Sequence, residues 1–226
     1  MIRLHSAVVA MLLAISSWAS AEEGFTPLFD GKSLAGWSGH DKFWSVKDGA
    51  ITGQTTPENP TQGNTFLLWK DEVANFHLKL KFRIVGGNSG IQYRSKHEGN
   101  FVVGGYQADI DSTDTYIGIL YEERGRGILA ERSKKVEISE SGEKKVVGET
   151  ADSKAILESI KKEDWNEYEV IAKGNELTQK INGMVTIHVI DNEKAKAATK
   201  GVLALQLHAG PPMLVQFKDI EIKTLD

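Results

Sequence analysis

Three short stretches alternate in the same way and place polar, chemically capable side chains on one face: Ile91-Gln92-Tyr93-Arg94, Tyr106-Gln107-Ala108-Asp109-Ile110 and Leu205-Gln206-Leu207-His208. A strand points successive side chains to opposite faces, so Gln92 pairs with Arg94, Gln107 with Asp109, and Gln206 with His208. The wet side of an ordinary half-exposed strand carries Lys, Thr, Glu and Ser. Gln, Arg, Asp and His instead suit a concave site that hydrogen-bonds a polar ligand. His208 precedes the rigid turn Ala209-Gly210-Pro211-Pro212, and a strand-end histidine can serve as base or acid near neutral pH. Arg94 on a pocket floor needs a partner, and Asp109 or a substrate oxygen would provide one. Glu122-Glu123-Arg124-Gly125-Arg126-Gly127 follows a strand predicted over Ile117–Tyr121. Glu122 there could hold or activate a sugar hydroxyl, and the Tyr121 ring could pack on the apolar face of a pyranose. His40, His77, His97 and His188 have weaker contexts.

The elements that must position these groups read as β structure. Glycine makes up 22 of 226 residues, and Asp30-Gly31, Asp48-Gly49 and Asn182-Gly183 are turn signals. Asn182-Gly183 lies between Leu177–Ile181 and Met184–Val189 and predicts a two-residue hairpin. Phe76–Ile84 alternates cleanly, with Phe76, Leu78, Leu80, Phe82 and Ile84 toward the core. Tyr168–Ala172 and Val215–Lys223 read as further strands. Helix is scarce: 152–162 has a weak helical pattern, 193–200 fits a turn or two, and the Lys/Glu-rich 131–150 reads as an exposed loop or hairpin. Many strands with little helix predict an all-β sandwich of two antiparallel sheets.

Composition narrows the function classes. The chain has no cysteine, which excludes disulfides, thiolate catalysis and cysteine-bound metals. The net charge is −4 with both signs mixed, so the basic patch that nucleic acid requires is missing. Residues 1–21 read as a signal peptide: Arg3, an apolar run from Ala7 to Ile15, and the small-x-small sequence Ala19-Ser20-Ala21. The mature chain, 22–226, is expected to be one exported domain, periplasmic or secreted, with no further apolar run of membrane-spanning length. Gly-x-Ser-x-Gly, Walker and His-Glu-x-x-His motifs are absent. Gly86-Gly87-Asn88-Ser89-Gly90 reads as a loop between strands rather than a phosphate cradle. No cofactor is required by these residues. A divalent metal is left open, because Asp109, Asp111, Asp114, Glu122 and His208 are oxygen and nitrogen donors; the oligomeric state is open as well.

Several motifs in order resemble the 3-keto-disaccharide hydrolase family. They are Leu28-Phe29-Asp30-Gly31-Lys32-Ser33-Leu34-Ala35-Gly36-Trp37, Phe43-Trp44-Ser45-Val46-Lys47-Asp48-Gly49, Asn88-Ser89-Gly90-Ile91-Gln92-Tyr93-Arg94, Trp165-Asn166-Glu167-Tyr168 with Ile181-Asn182-Gly183, and Gly201 to Ile222. The chain departs from the family at one point. Many members carry Tyr-Glu-x-Gln before Ile-x-Asp, where this sequence has Tyr106-Gln107-Ala108-Asp109-Ile110. The resemblance implies a concanavalin A-like jelly roll and cleavage of glycosides oxidised at carbon 3, by elimination across carbons 1 and 2 followed by hydration. On that basis His208 is expected as base, Glu122 or Asp109 as acid or second base, and Arg94 with Gln107 on substrate oxygens. Gln92, Tyr121 and Gln206 complete the substrate contacts. The rival class is a lectin-like module that binds carbohydrate and does no chemistry.

Overall fold

The computed structural model describes residues 23–226, so the signal peptide expected over 1–21 lies outside the described residues. The strands in chain order begin with β1 (Thr26–Pro27), β2 (Trp37–Ser38), β3 (Trp44–Lys47), β4 (Ala50–Gln54), β5 (Thr65–Val73) and β6 (Phe76–Val85). The next are β7 (Asn88–Gly99), β8 (Val102–Asp111), β9 (Leu120–Glu123), β10 (Gly127–Ala130), β11 (Lys134–Ile138) and β12 (Lys144–Glu149). After the short helix α1 (Ser153–Ser159) come β13 (Asn166–Lys173), β14 (Glu176–Ile181), β15 (Met184–Asp191), β16 (Gly201–Leu207) and β17 (Leu214–Thr224). They form a ten-stranded sheet and a seven-stranded sheet, the latter in the order β10-β9-β8-β7-β16-β5-β2. The only parallel pair among the described strands is β11 with β15. The architecture is a jelly-roll β-sandwich.

Alternation drives the assembly. Phe76, Leu78, Leu80, Phe82 and Ile84 of β6 are buried while the residues between them are partly wet, as the sequence predicts. The hairpin at Asn182-Gly183 forms with both residues at positive φ, +48° and +80°. That is the left-handed pair a two-residue reversal needs. The Lys/Glu-rich stretch is the β11–β12 hairpin, and Asp152 caps α1 by accepting the Ala155 N–H. From the seven-stranded sheet, Ile91, Tyr93, Tyr106, Ala108, Ile110, Leu205 and Leu207 enter the main core. The intervening residues of β7, β8 and β16 must then lie on the outer face, the face that positions the site.

The β7–β8 hairpin is not a flat ribbon. Its register shifts between Tyr93 and Lys96 and again between His97 and Gly99. Bulges of this kind bend a strand and increase its twist. The bent tip returns to β5, where the Phe101 carbonyl accepts the Phe66 N–H at 3.0 Å.

Candidate active site

On the outer face of the seven-stranded sheet, cross-strand register brings Gln92 of β7 beside Gln107 of β8 and Gln107 beside Tyr121 of β9. Asp109 lies opposite Gly90, and Leu205 pairs with Ile91, which sets Gln206 next to Gly90. A Cβ at Gly90 would stand 2.5 Å from the Gln107 side chain. A strand-interior glycine here lets that amide lie across the sheet. The result is a directed relay. Ser95 Oγ donates to Gln92 Oε1 at 2.6 Å, Gln92 Nε2 to Gln107 Oε1 at 2.8 Å, and Gln107 Nε2 to Asp109 Oδ1 at 2.5 Å. Each link fixes the orientation of the next amide.

Beside the relay stands Glu123. Its Oε2 accepts from Gln206 Nε2 at 3.1 Å and from Asn64 Nδ2 at 3.4 Å. Asn64 Oδ1 in turn accepts the N–H of Ala209 at 3.0 Å, which ties the turn after His208 to the same carboxylate. His208 Nδ1 lies 2.5 Å from the Ala209 carbonyl oxygen. A carbonyl only accepts, so Nδ1 carries a proton, and the tautomer this selects has Nε2 as its acceptor. Gln206 is fully buried, and its Oε1 has no protein donor among the described residues.

The electrostatics single out Asp109. Burial pushes Asp109 up to about 8, and the nearby charges of Glu123 and Asp111 push the same way against the Gln107 hydrogen bond. Asp109 is thus mostly protonated at neutral pH. Its Oδ1 accepts from Gln107, so the proton sits on Oδ2. Tyr121 is also raised, by burial first and then by the charges of Glu123 and Asp109. Register sets Tyr121 beside Gln107 and on the same face of β9 as Glu123. Among the described residues neither Asp109 nor Glu123 has an ion-pair partner.

Two expected site residues lie elsewhere. Glu122 points to the opposite face of β9 from Tyr121 and Glu123. Its oxygens take Arg126 Nη2 at 2.8 Å and Arg126 Nε at 2.9 Å, and the same guanidinium bonds Asp191 and Glu193. It belongs to a buried ion cluster. β9 runs over Leu120–Glu123 rather than Ile117–Tyr121, and this extends the alternation so that Glu123 shares the face of Tyr121. Arg94 leaves the face of Gln92 because its backbone turns left-handed, with φ +48°, at the first bulge. The guanidinium bonds the carbonyls of Ala74 and Gly174 at 2.6 and 2.7 Å and Asn75 Oδ1 at 3.1 Å. With a longer bond from Nη1 to the Ala198 carbonyl at 3.4 Å, it pins three loops together and does not pair with Asp109. Asp111 is spent on its own turn, accepting from Thr113 and Tyr116. Among the described residues no three His, Asp or Glu side chains gather as a cation site, and no helix is long and apolar enough to cross a membrane.

Gln92, Gln107, Asp109, Tyr121 and Gln206 therefore share one face, with His208 at its end. Glu123, Asn64 and Ser95 are additions. Glu123 was within reach of sequence reasoning, since it stands two residues from Tyr121. Asn64 and Ser95 arrive from a loop and a bulge and carry no local signal.

A family model described as a 3-keto-alpha-glucoside-1,2-lyase-like domain matches residues 24–223. The chain belongs to this family. A 3-keto-disaccharide hydrolase of Bacteroides thetaiotaomicron is 33% identical over 79 residues, a match that spans 31% of this chain and 27% of that protein. The fold is shared with a candidate glycosyl hydrolase of Parabacteroides distasonis (TM-score 0.61, 21% identity, 89% of this chain and 99% of that one). It is also shared with a galectin-like protein of Bacillus subtilis (TM-score 0.59, 10% identity, 88% of this chain and 94% of that one). At these identities the likeness speaks for the fold alone.

Proposed function

We propose that this protein cleaves glycosides whose sugar is oxidised at carbon 3. The observation that carries the reading is the pair Asp109 and Glu123. They are two carboxylates on one polar face, one of which burial raises toward its protonated form, an arrangement that suits a division into acid and base roles. A ketone at carbon 3 acidifies the hydrogen on carbon 2. Glu123, half-exposed and accepting from two amide donors, takes that proton. The C1–O bond then breaks with its electron pair leaving on oxygen, a C1=C2 double bond forms, and the Asp109 Oδ2 proton passes to the departing oxygen. Water adding across the double bond restores the 3-keto sugar. Tyr121 supplies a donor toward the developing enolate oxygen, and the orphan Gln206 Oε1 suits a sugar hydroxyl. His208, with Nε2 free to accept, serves the hydration step as second base.

The chemistry needs no pair of carboxylates flanking the glycosidic oxygen as in an ordinary glycosidase. Plain glucosides, which lack the acidified C2 hydrogen, should therefore be inert. The test is release of aglycone from a chemically prepared 3-keto-glucoside and from the matching glucoside. Turnover of the first and not the second is expected. Equal turnover of both, or binding of plain sugars with no turnover of either, overturns the reading.

A further inference from the structure

We infer that the tip of the β7–β8 hairpin is the subsite for the leaving group, with Phe101, His40 and His97 offering an aromatic surface to the flat face of a ring. The inference rests on the polar face being the site of cleavage. The tip is anchored on both flanks of Glu123. On one side Glu98 pairs with Arg124 Nε at 3.0 Å, one residue along from Glu123. On the other, the Phe101 carbonyl holds the N–H of Phe66, whose cross-strand partner is Gln206, itself a donor to Glu123. The tip thus arches beside the polar cluster without entering its hydrogen-bond relay.

Its rings pack inward on a small apolar layer through Phe101 and leave an aromatic surface outside. His40 meets Phe101 edge-on at 4.8 Å, and His97 lies nearly parallel to Phe101 at 6.4 Å and 23°. Phe101 and His40 are half-buried and His97 is exposed, so part of this surface is open. Below it Phe66, Leu68, Val103 and Ala204 form a small apolar layer of their own, apart from the main core. The backbone supports the same reading. Asn100 and Phe101 both sit at positive φ, +48° and +55°. A two-residue reversal needs this left-handed pair, but a phenylalanine is an outlier where glycine would be unstrained, and such strain clusters at ligand clamps. An aromatic ring beside the polar face that carries Glu123 suits the C–H face of a ring in the leaving group.

The experiment measures binding of phenyl and methyl glucoside, and turnover of their 3-keto forms, by the wild-type chain and by Phe101→Gly and His97→Ala. Phe101→Gly relieves the positive φ, and His97→Ala alters only exposed surface, so at least one variant keeps the fold. A phenyl-over-methyl preference of about three- to tenfold is expected in the wild type, most of it lost in Phe101→Gly and part of it in His97→Ala. No preference in the wild type, or an unchanged preference in both variants, overturns the subsite. A preference that depends on Phe101 without turnover of any 3-keto form would leave the ring subsite standing and remove the cleavage reading.

Discussion

Glu122 and Glu123 are neighbours in sequence and face opposite environments. Glu122 turns inward to a saturated cluster, where Arg126 is shared with Asp191 and Glu193. Tyr106 Oη also donates to Asp191 at 2.5 Å. Burial alone would raise the Asp191 carboxyl, but its bonds from Arg126 and Tyr106 outweigh that and hold it low. Glu123 turns outward to a cluster built from amides, with Asp109 kept neutral nearby. The first arrangement gives every carboxylate it buries a direct cationic partner, which is what a structural cluster must do. The second leaves a carboxylate without a cation, a carboxylic acid with a proton to give, and an unpaired acceptor. Imbalance of that kind costs stability and is retained where it serves a ligand.

The contrast can be broken at either carboxylate. Glu123→Gln keeps the amide contacts and removes the charge. Turnover of a 3-keto-glucoside is expected to fall about 10²–10⁴-fold with a nearly unchanged melting temperature, measured by steady-state kinetics and calorimetry. Arg126→Ala strands three acids in the inner cluster and should cost about 3–5 kcal/mol of unfolding free energy in a urea titration, with turnover kept in the folded fraction. Should Arg126→Ala abolish chemistry without destabilising the fold, the two clusters have been assigned the wrong way round.

Asp109→Asn sharpens the comparison through pH. The folded carboxyl is raised to about 8, above an unfolded value of about 4. Its contribution to stability is therefore fully present below about pH 4 and is lost as pH climbs toward 8. Asparagine does not titrate, so the variant should gain on the wild type between those limits, by on the order of 2–4 kcal/mol at pH 8, read from melting curves across the range. A gap that does not change with pH would mean that Asp109 is ionised in the folded protein. The smallest effect is expected at Arg94. Arg94→Lys keeps the charge but cannot reach all its acceptors, and should cost about 1–3 kcal/mol while KM stays constant. A raised KM would return Arg94 to the substrate.

The sandwich was legible because its strands alternate strongly. Phe76–Ile84 and the Asn182-Gly183 hairpin carry their own address in residue type. Gln107, Asp109 and Gln206 were legible for the same reason, each lying between core residues on an unbroken strand. Arg94 was not, because a bulge after Tyr93 moves the next side chain to another face, and nothing local marks an arginine about to adopt positive φ. Glu122 was misplaced by a strand boundary: β9 runs on to Glu123, so alternation puts Glu123 and not Glu122 on the face of Tyr121. Asn64 joins the site from a loop, through contacts that arise only once β5, β9 and β16 are assembled.

The central claim is that Asp109 and Glu123 divide the acid and base work. The most direct measurement is the pH dependence of kcat/KM for a 3-keto-glucoside in the wild type and in Asp109→Asn. The wild type should lose activity above about pH 8 as Asp109 ionises, and Asp109→Asn should be slow at every pH with that limb gone. An alkaline limb that survives in Asp109→Asn, with turnover near the wild-type rate, would contradict the account.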